Sequence, residues 1–209
     1  VLHEVIEESQ HSLMFQELVN RSELPVQGMP RWLRTTAPLA VPVIQRLFPE
    51  QFFVLVLGGE DPVDHLQRRQ LREGTTHPLV EKIMRIHVTE EARHIAYART
   101  YLKELVPTLP AYRRHMLAIR TPLVLWIMAP LMVDPTDELH TVHGVPRSVL
   151  AEARTSAEGR QLRKDSVAKL RKLCREMGLM TPAARRMWKR CGLWDDDVRD
   201  DPSPEHAAA

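Results

Sequence analysis

The sequence predicts an all-α fold, and three observations lead to that prediction. Apolar residues recur at helical spacing through most of the 209-residue chain, whereas strand-like alternation is scarce. Aromatic residues make up only 5% of the chain. The 16 prolines interrupt long apolar segments, as expected where helices stop abruptly or bend. A chain of this length suffices for one domain with a complete hydrophobic core.

Periodicity and helix-stop residues place the helices in order. The predicted helices cover residues 1–24, 39–48, 50–72, 79–106, 110–133, 147–157, 159–177 and 182–190. Pro25 ends the first of them, and residues 25–38 are expected to form a connection. The second helix is expected to be short and buried, with an interruption at Pro42. Residues 134–146 are expected to be a loop.

Two apolar segments carry more specific expectations. Gly58, Gly59 and Pro62 predict a kink or a π-bulge around Glu60 in the third helix. The longest apolar run, residues 122–133, is 12 residues long and is therefore too short to span a bilayer. We expect it to form a buried helix within the bundle.

Charge and cysteine content exclude several function classes. The net charge is +2, and although residues 147–190 carry 13 Lys and Arg against 4 Asp and Glu, no nucleic-acid-binding motif accompanies them. Residues 195–209 are acidic and are predicted to be disordered. Cys174 and Cys191 form neither a disulfide framework nor a CxxC site, which favours a reducing, cytoplasmic location. No signal peptide is visible at the start of the sequence.

The segment HVTEEARHIAYAR, residues 87–99, carries the chemistry. His87, Glu91 and His94 follow each other at intervals of four and three residues, so they share one face of a helix. The first helix contains EESQH, in which Glu8 and His11 have the same i, i+3 spacing as Glu91 and His94. Two Glu-x-x-His units, with one Glu from each of two further helices, make the carboxylate-bridged dinuclear site of ferritin-like bundles. Carboxylate and imidazole donors together suit iron or manganese.

The third predicted helix is expected to supply a lone carboxylate. Glu60 follows the apolar stretch FFVLVLGG, where burying an unpaired carboxylate would be costly unless a cation were bound. Asp61 and Asp64 are rivals for this position.

The complete order of donors resembles the p-aminobenzoate N-oxygenase (AurF-like) family. The similarity covers residues 1–130 and includes the interval of 27 residues from Glu60 to His87. The resemblance implies a ferritin-like bundle with additional C-terminal helices, a non-haem diiron site and O2-dependent oxidation. In the type member of the family, the molecule that is oxidised is an arylamine. The metal ligands that it implies are Glu8, His11, Glu60, His87, Glu91 and His94. They would hold two iron ions, or manganese in their place.

One ligand of the family has no counterpart in the sequence. The family's first ligand Glu should lie on a helix before Val1, and the chain opens without Met inside a helical pattern. We therefore expect residues 1–194 to be a single, N-terminally incomplete diiron oxygenase domain, followed by the acidic tail.

Several neighbours of the motifs have alternative roles. Glu7 could replace Glu8 as ligand, although the i, i+3 spacing favours Glu8. Glu90 points about 100° away from Glu91, so it is expected at the surface or behind the ligands, with Arg93 as a candidate partner. Three further roles are expected for residues near the motifs. They are hydrogen bonds from Asp61 and Asp64 to ligand histidines, a substrate-lining or a core-packing role for Tyr97, and a loop position without ligand function for His140 and His143.

The predicted function is that of an O2-dependent oxygenase acting on a small organic molecule. Its expected partners are the substrate, O2 and an external electron donor, since no flavin or nicotinamide fingerprint is present. Nucleic acid and membrane are not expected as partners, and a homodimer fits this bundle type. Two alternatives are an iron-handling or peroxide-scavenging ferritin-like protein, and a metal-free module that uses its basic C-terminal helices.

Overall fold

The prediction of an all-α fold is confirmed. The computed structural model describes residues 2–23 and 28–195, and the regular structure in these ranges is entirely helical. The ten α-helices of this described part are α1 (Leu2–Ser22), α2 (Arg31–Leu47), α3 (Pro49–Glu73), α4 (Pro78–Leu105), α5 (Ala111–Val133), α6 (Glu138–Thr141), α7 (Arg147–Thr155), α8 (Ala157–Ser166), α9 (Ala168–Glu176) and α10 (Pro182–Arg190). A short 3-10 turn, Val106–Thr108, links α4 to α5.

Helices α3 and α4 form the central hairpin of the bundle. Gly74, with φ of 63°, ends α3 in the left-handed conformation that glycine adopts most easily. The backbone N–H of Leu79 donates to the side chain of His77, and Pro78 occupies the first turn of α4. Helix α1 packs against α4, and α5 packs against α3. The hairpin therefore contacts both the helix that carries the first motif and the most apolar helix.

The hydrophobic core lies mainly between α3, α4, α5 and the C-terminal helices. Leu57, Leu102, Leu125 and Leu170 have no solvent exposure, and Trp188 of α10 is 1% exposed. Complete burial of each such side chain contributes about 1.5–3 kcal/mol.

Helices α3 and α5 approach each other closely at Gly58. A Cβ atom at this residue would lie 3.1 Å from Leu125 Cδ2 and 3.3 Å from Met128 Sδ. Glycine at this position therefore allows α5 to seal the apolar side of α3.

The prediction for the second helix is wrong in its bounds and in its burial. Helix α2 begins at Arg31, so most of the expected connection is helical, and none of its residues is buried. Trp32 and Leu39 are 52% and 77% exposed. Pro38 and Pro42 lie inside the helix, where each leaves the carbonyl four residues earlier without its helical N–H partner. Exposure makes this tolerable, because water can hydrogen-bond to those carbonyls.

Of the kink or π-bulge predicted near Glu60, the π-bulge is wrong, because α3 is α-helical throughout Pro49–Glu73. The kink stays a prediction. Pro62 removes one backbone hydrogen bond, to the carbonyl of Gly58.

The C-terminal part is more broken than the sequence suggests. The helix expected over residues 159–177 is interrupted at Val167, which separates α8 from α9. The expected loop 134–146 contains the one-turn helix α6. Asp195 forms an ion pair with Lys164. The rest of the acidic tail, residues 196–209, lies outside the described residues.

Helix α5 is only partly buried, contrary to the prediction. Leu125 and Ala129 face the core, whereas Trp126 and Ile127 are 57% and 48% exposed. By length and composition the segment Ala111–Thr141 could cross a membrane, the one such segment among the described residues. That is weak evidence, since core helices of soluble proteins pass the same test. The absence of a membrane partner stays a prediction.

Candidate metal centre

Helices α1 and α4 bring the two Glu-x-x-His motifs together. Glu7 and Glu8 of α1 contact His94 of α4, whereas His11 of α1 contacts Glu90, which lies one turn earlier on α4. The contacts thus run in opposite order along the two helices, which shows that α1 and α4 are antiparallel here.

The donors form two sets that share one carboxylate. In the first donor set, one ligand atom each from His11, His87 and Glu91 lies within 4.8 Å of the others, and all three residues are buried. In the second donor set, Glu8, Glu91 and His94 meet the same limit. Glu91, which is 1% exposed, belongs to both sets. Five of the six predicted ligands are therefore brought together.

The inner nitrogens of two histidines point at the same carboxylates. His94 Nδ1 lies 2.8 Å from Glu8 Oε1 and 3.1 Å from Glu91 Oε2. His11 Nδ1 lies 3.8 Å from Glu91 Oε2 and 3.9 Å from Glu8 Oε1. His11 Nδ1 is buried and has no hydrogen-bond partner, which is costly for a polar atom. A cation between this nitrogen and the carboxylates would satisfy both.

Glu60 stands beside the two donor sets without belonging to either of them. Burial, reinforced by the charges of Glu91 and Glu8, raises the pKa of Glu60 to about 7. Burial and the neighbouring carboxylate of Glu8 likewise raise the pKa of Glu91 to about 7. Like charges held this close favour protonation, or the binding of a cation in place of protons. The donors present therefore fit a carboxylate-bridged metal pair.

His87 is held by a residue that the sequence analysis missed. Its Nδ1 lies 2.9 Å from Oε1 of the buried Gln67, so Nε2 is the nitrogen left for a metal. Burial, together with the nearby His11, lowers the pKa of His87 and so keeps the imidazole neutral. The Phe15 ring packs nearly perpendicular to the His87 ring, with 5.1 Å between the ring centroids. Gln67 lies seven residues after Glu60 on α3, and this helical spacing could have identified it.

Two further glutamates contact the outer nitrogens of the ligand histidines. Glu90 Oε2 lies 2.8 Å from His11 Nε2, and Glu7 Oε2 lies 3.0 Å from His94 Nε2. Glu90 thus stands behind a ligand, but the pairing suggested for it is wrong. Arg93 forms its ion pair with Glu7 because it projects towards α1 at the level of that residue.

The predicted hydrogen bonds from Asp61 and Asp64 to ligand histidines are not formed, because both aspartates pair with cations. Asp61 pairs with Arg99 of α4, and burial raises its pKa to about 6 in spite of that cation. Asp64 lies 2.8 Å from Arg68 Nε and 2.7 Å from Lys169 Nζ. The second contact ties α9 to the face of α3 that carries Glu60, four residues before Asp64.

The loop position expected for His140 is wrong, because this residue lies in the one-turn helix α6. His140 Nδ1 lies 2.9 Å from the carbonyl oxygen of Val145, and among the described residues neither His140 nor His143 joins a set of metal donors. Tyr97 is 44% exposed and its ring lies 5.9 Å from that of Phe53. This packing is the role that the structure shows for Tyr97, and a substrate-lining role stays a prediction.

Comparison with known proteins shows the family of the chain. A family model described as p-aminobenzoate N-oxygenase AurF matches residues 1–178. The chain belongs to the AurF family. The resemblance drawn from the donor order is thereby confirmed, and the match extends beyond the 130 residues on which that resemblance rested.

Relatives of this AurF-family chain occur in mycobacteria. It is 41% identical over 212 aligned residues to an uncharacterized protein of Mycobacterium tuberculosis strain CDC 1551. It is 40% identical to uncharacterized proteins of Mycobacterium bovis and of M. tuberculosis strain H37Rv. Each alignment covers the whole of this chain and 62% of the relative, so the chain spans less than two thirds of their length. No solved structure matches the chain.

Proposed function

We propose that the protein is a non-haem diiron oxygenase that uses O2 to oxidise a small organic substrate. The observation that carries this proposal is the sharing of Glu91 by two donor sets, because a common carboxylate is what holds two cations side by side. The AurF family name favours N-oxygenation of an arylamine as the reaction. Manganese is the alternative metal, since it accepts the same donors.

The six predicted ligands have distinct roles in this proposal. His11 and His87 would bind one metal, His94 would bind the other, and Glu91 would bridge them. Glu8 belongs to the second set, and Glu60 adds a carboxylate from α3. A reduced iron pair, when bound, supplies the redox chemistry with O2 that no side chain can perform.

The chain's own contribution is to hold the donors and to control access. His11, His87 and Glu91 are buried, so water is largely excluded from the first donor set. The side chain of Glu8 is 51% exposed, and we propose that substrate approaches from this side. Electrons are proposed to come from an external donor. Assembly as a homodimer, and the absence of nucleic-acid and membrane partners, remain part of the proposal.

The experiment that tests the function has two stages. The protein is first loaded anaerobically with Fe(II), and its iron and manganese contents are measured by elemental analysis. O2 consumption is then followed with a chemical reductant, with and without p-aminobenzoate and a panel of other arylamines. About two iron ions per chain and substrate-dependent O2 consumption are expected.

Each other outcome selects a different function. If the protein binds iron but no arylamine stimulates its O2 consumption, an iron-handling or peroxide-scavenging function would be favoured. No specific binding of iron or manganese would reject the oxygenase. A Glu104→Gln variant serves as the control for loss of one carboxylate, because Glu104 is an exposed residue of α4 outside both donor sets.

A further inference from the structure

The two metal-binding motifs are longer than Glu-x-x-His. Glu7 and Glu8 precede His11 just as Glu90 and Glu91 precede His94, so each helix carries Glu-Glu-x-x-His. The second glutamate of each pair, Glu8 or Glu91, belongs to the donor sets. The first glutamate points about 100° away from it and has no place among the metal donors.

Each first glutamate contacts the histidine of the opposite helix. Glu90 of α4 reaches His11 Nε2 at 2.8 Å, and Glu7 of α1 reaches His94 Nε2 at 3.0 Å. The antiparallel packing of the two helices explains this exchange, because the start of one motif lies beside the end of the other. In both histidines the opposite nitrogen, Nδ1, faces the inner carboxylates.

We propose that Glu90 and Glu7 are positioning residues that fix His11 and His94 in the tautomer able to bind a metal through Nδ1. The inference rests on the proposed metal centre. A neutral imidazole carries one N–H and one lone pair, and a carboxylate accepts only from the nitrogen that bears the proton. With the proton on Nε2, the lone pair of Nδ1 points to the metal position. The hydrogen bond from Nε2–H to the outer carboxylate makes Nδ1 a stronger metal ligand.

The contribution of Glu90 should exceed that of Glu7. The carboxylate of Glu7 also accepts from His3 Nδ1 at 3.1 Å and pairs with Arg93, so its charge is shared among several donors. His11 is 3% exposed, so in the wrong tautomer its Nε2 atom could not replace the lost hydrogen bond with one to water.

The test compares Glu90→Ala, Glu90→Gln and the control Glu104→Gln. Mn(II) affinity is measured by electron paramagnetic resonance titration, and the tautomer of His11 by 15N NMR of chelator-treated protein at pH 8. Glu90→Ala should bind Mn(II) about 10–100-fold more weakly and should lose the uniform Nε2–H form of His11. Glu90→Gln should retain that tautomer, because its amide oxygen still accepts, with a smaller loss of affinity. Glu104→Gln should match the wild type in both measurements.

Unchanged Mn(II) affinity and an unchanged His11 tautomer in Glu90→Ala would overturn this inference while leaving the oxygenase proposal intact. A wild-type protein that binds no metal would instead reject the proposed function itself. Circular dichroism checks the fold of each variant. If Glu90→Ala does not fold, the Mn(II) affinities of Glu7→Ala and Glu7→Gln decide the question at His94, since Glu7 lies on helix α1. Glu7→Ala should bind Mn(II) more weakly and Glu7→Gln should recover most of the affinity, and equal affinities in both variants and the wild type would overturn the inference.

Discussion

The two donor sets differ in burial and in the charge that they carry. The first set has two imidazoles and one carboxylate, and all three residues are buried. The second set has one imidazole and two carboxylates, and the side chain of Glu8 is 51% exposed. Burying a carboxylate costs far more than burying a neutral imidazole, so the charge is concentrated where water remains close. The comparison predicts that the first position is the tighter and the second the more accessible.

The largest effect is expected at the carboxylate that both sets share. Glu91→Ala should remove both metals, because each position loses a donor and the bridge between the charges disappears. The iron content measured by elemental analysis after Fe(II) loading should fall from about two ions per chain to nearly none. The Glu104→Gln variant should load normally. Retention of two irons in Glu91→Ala would show that the two sets are not one centre.

A selective effect is expected from histidines that belong to a single set. His87→Ala should leave about one iron per chain, because His94, Glu8 and Glu91 still form the second set. His94→Ala should spare the first set in the same way. The iron left in His87→Ala is bound by the more exposed second set, and the iron left in His94→Ala is bound by the buried first set. A chelator should therefore remove iron from His87→Ala faster than from His94→Ala. Equal stripping rates would contradict the proposed difference between the positions.

A moderate effect is expected from pH. The pKa values of Glu60 and Glu91 are raised to about 7, so protons compete with metal at both positions. Fe(II) affinity should therefore weaken as the pH falls below about 7, measured by titration between pH 5.5 and 8. A constant affinity across this range would contradict the electrostatic account of the site.

The metal-free protein should respond to pH in the opposite direction. Because Glu60 and Glu91 hold protons to higher pH in the folded chain than in the unfolded chain, the free energy of unfolding falls as the pH rises from about 4.5 to about 7. His94, whose pKa is raised by Glu7 and Glu91 in spite of burial, acts in the same sense, and His87 opposes it. Thermal unfolding of chelator-treated protein should give a lower Tm at pH 8 than at pH 5.5.

The smallest effect on metal binding is expected from the hydrophobic core. Trp188 is 1% exposed and packs in the core at α10, outside both donor sets. Trp188→Ala should cost about 3–5 kcal/mol in the free energy of unfolding, measured with denaturant. The variant should still bind two irons at a temperature where it is folded. A change in metal affinity larger than that of Glu104→Gln would show that core and centre are coupled.

Much of the site follows from the sequence because its geometry is local. The i, i+3 and i, i+4 intervals place Glu8 with His11, and Glu91 with His87 and His94, on single helical faces whatever the tertiary packing. The long helices α1, α3, α4 and α5 were predicted to within a few residues for the same reason, since their periodicity and stop residues are properties of each segment.

The errors concern which surfaces meet. The burial predicted for residues 39–48 failed because an apolar face is buried only where another element covers it. Asp61 and Asp64 were assigned to histidines, yet they pair with Arg99 and Lys169, which lie 38 and 105 residues away in the chain. No local pattern predicts such partners.

The sequence by itself therefore determined the helices, the donor types and the face on which each donor lies. The tertiary structure decided how these faces combine. The antiparallel packing of α1 on α4 makes Glu91 common to two sets, and it places Glu7 behind His94 and Glu90 behind His11. The physical reason is the range of the interactions. Helical periodicity acts over one or two turns, whereas the burial, tautomer and charge of a donor depend on the helix that packs against it.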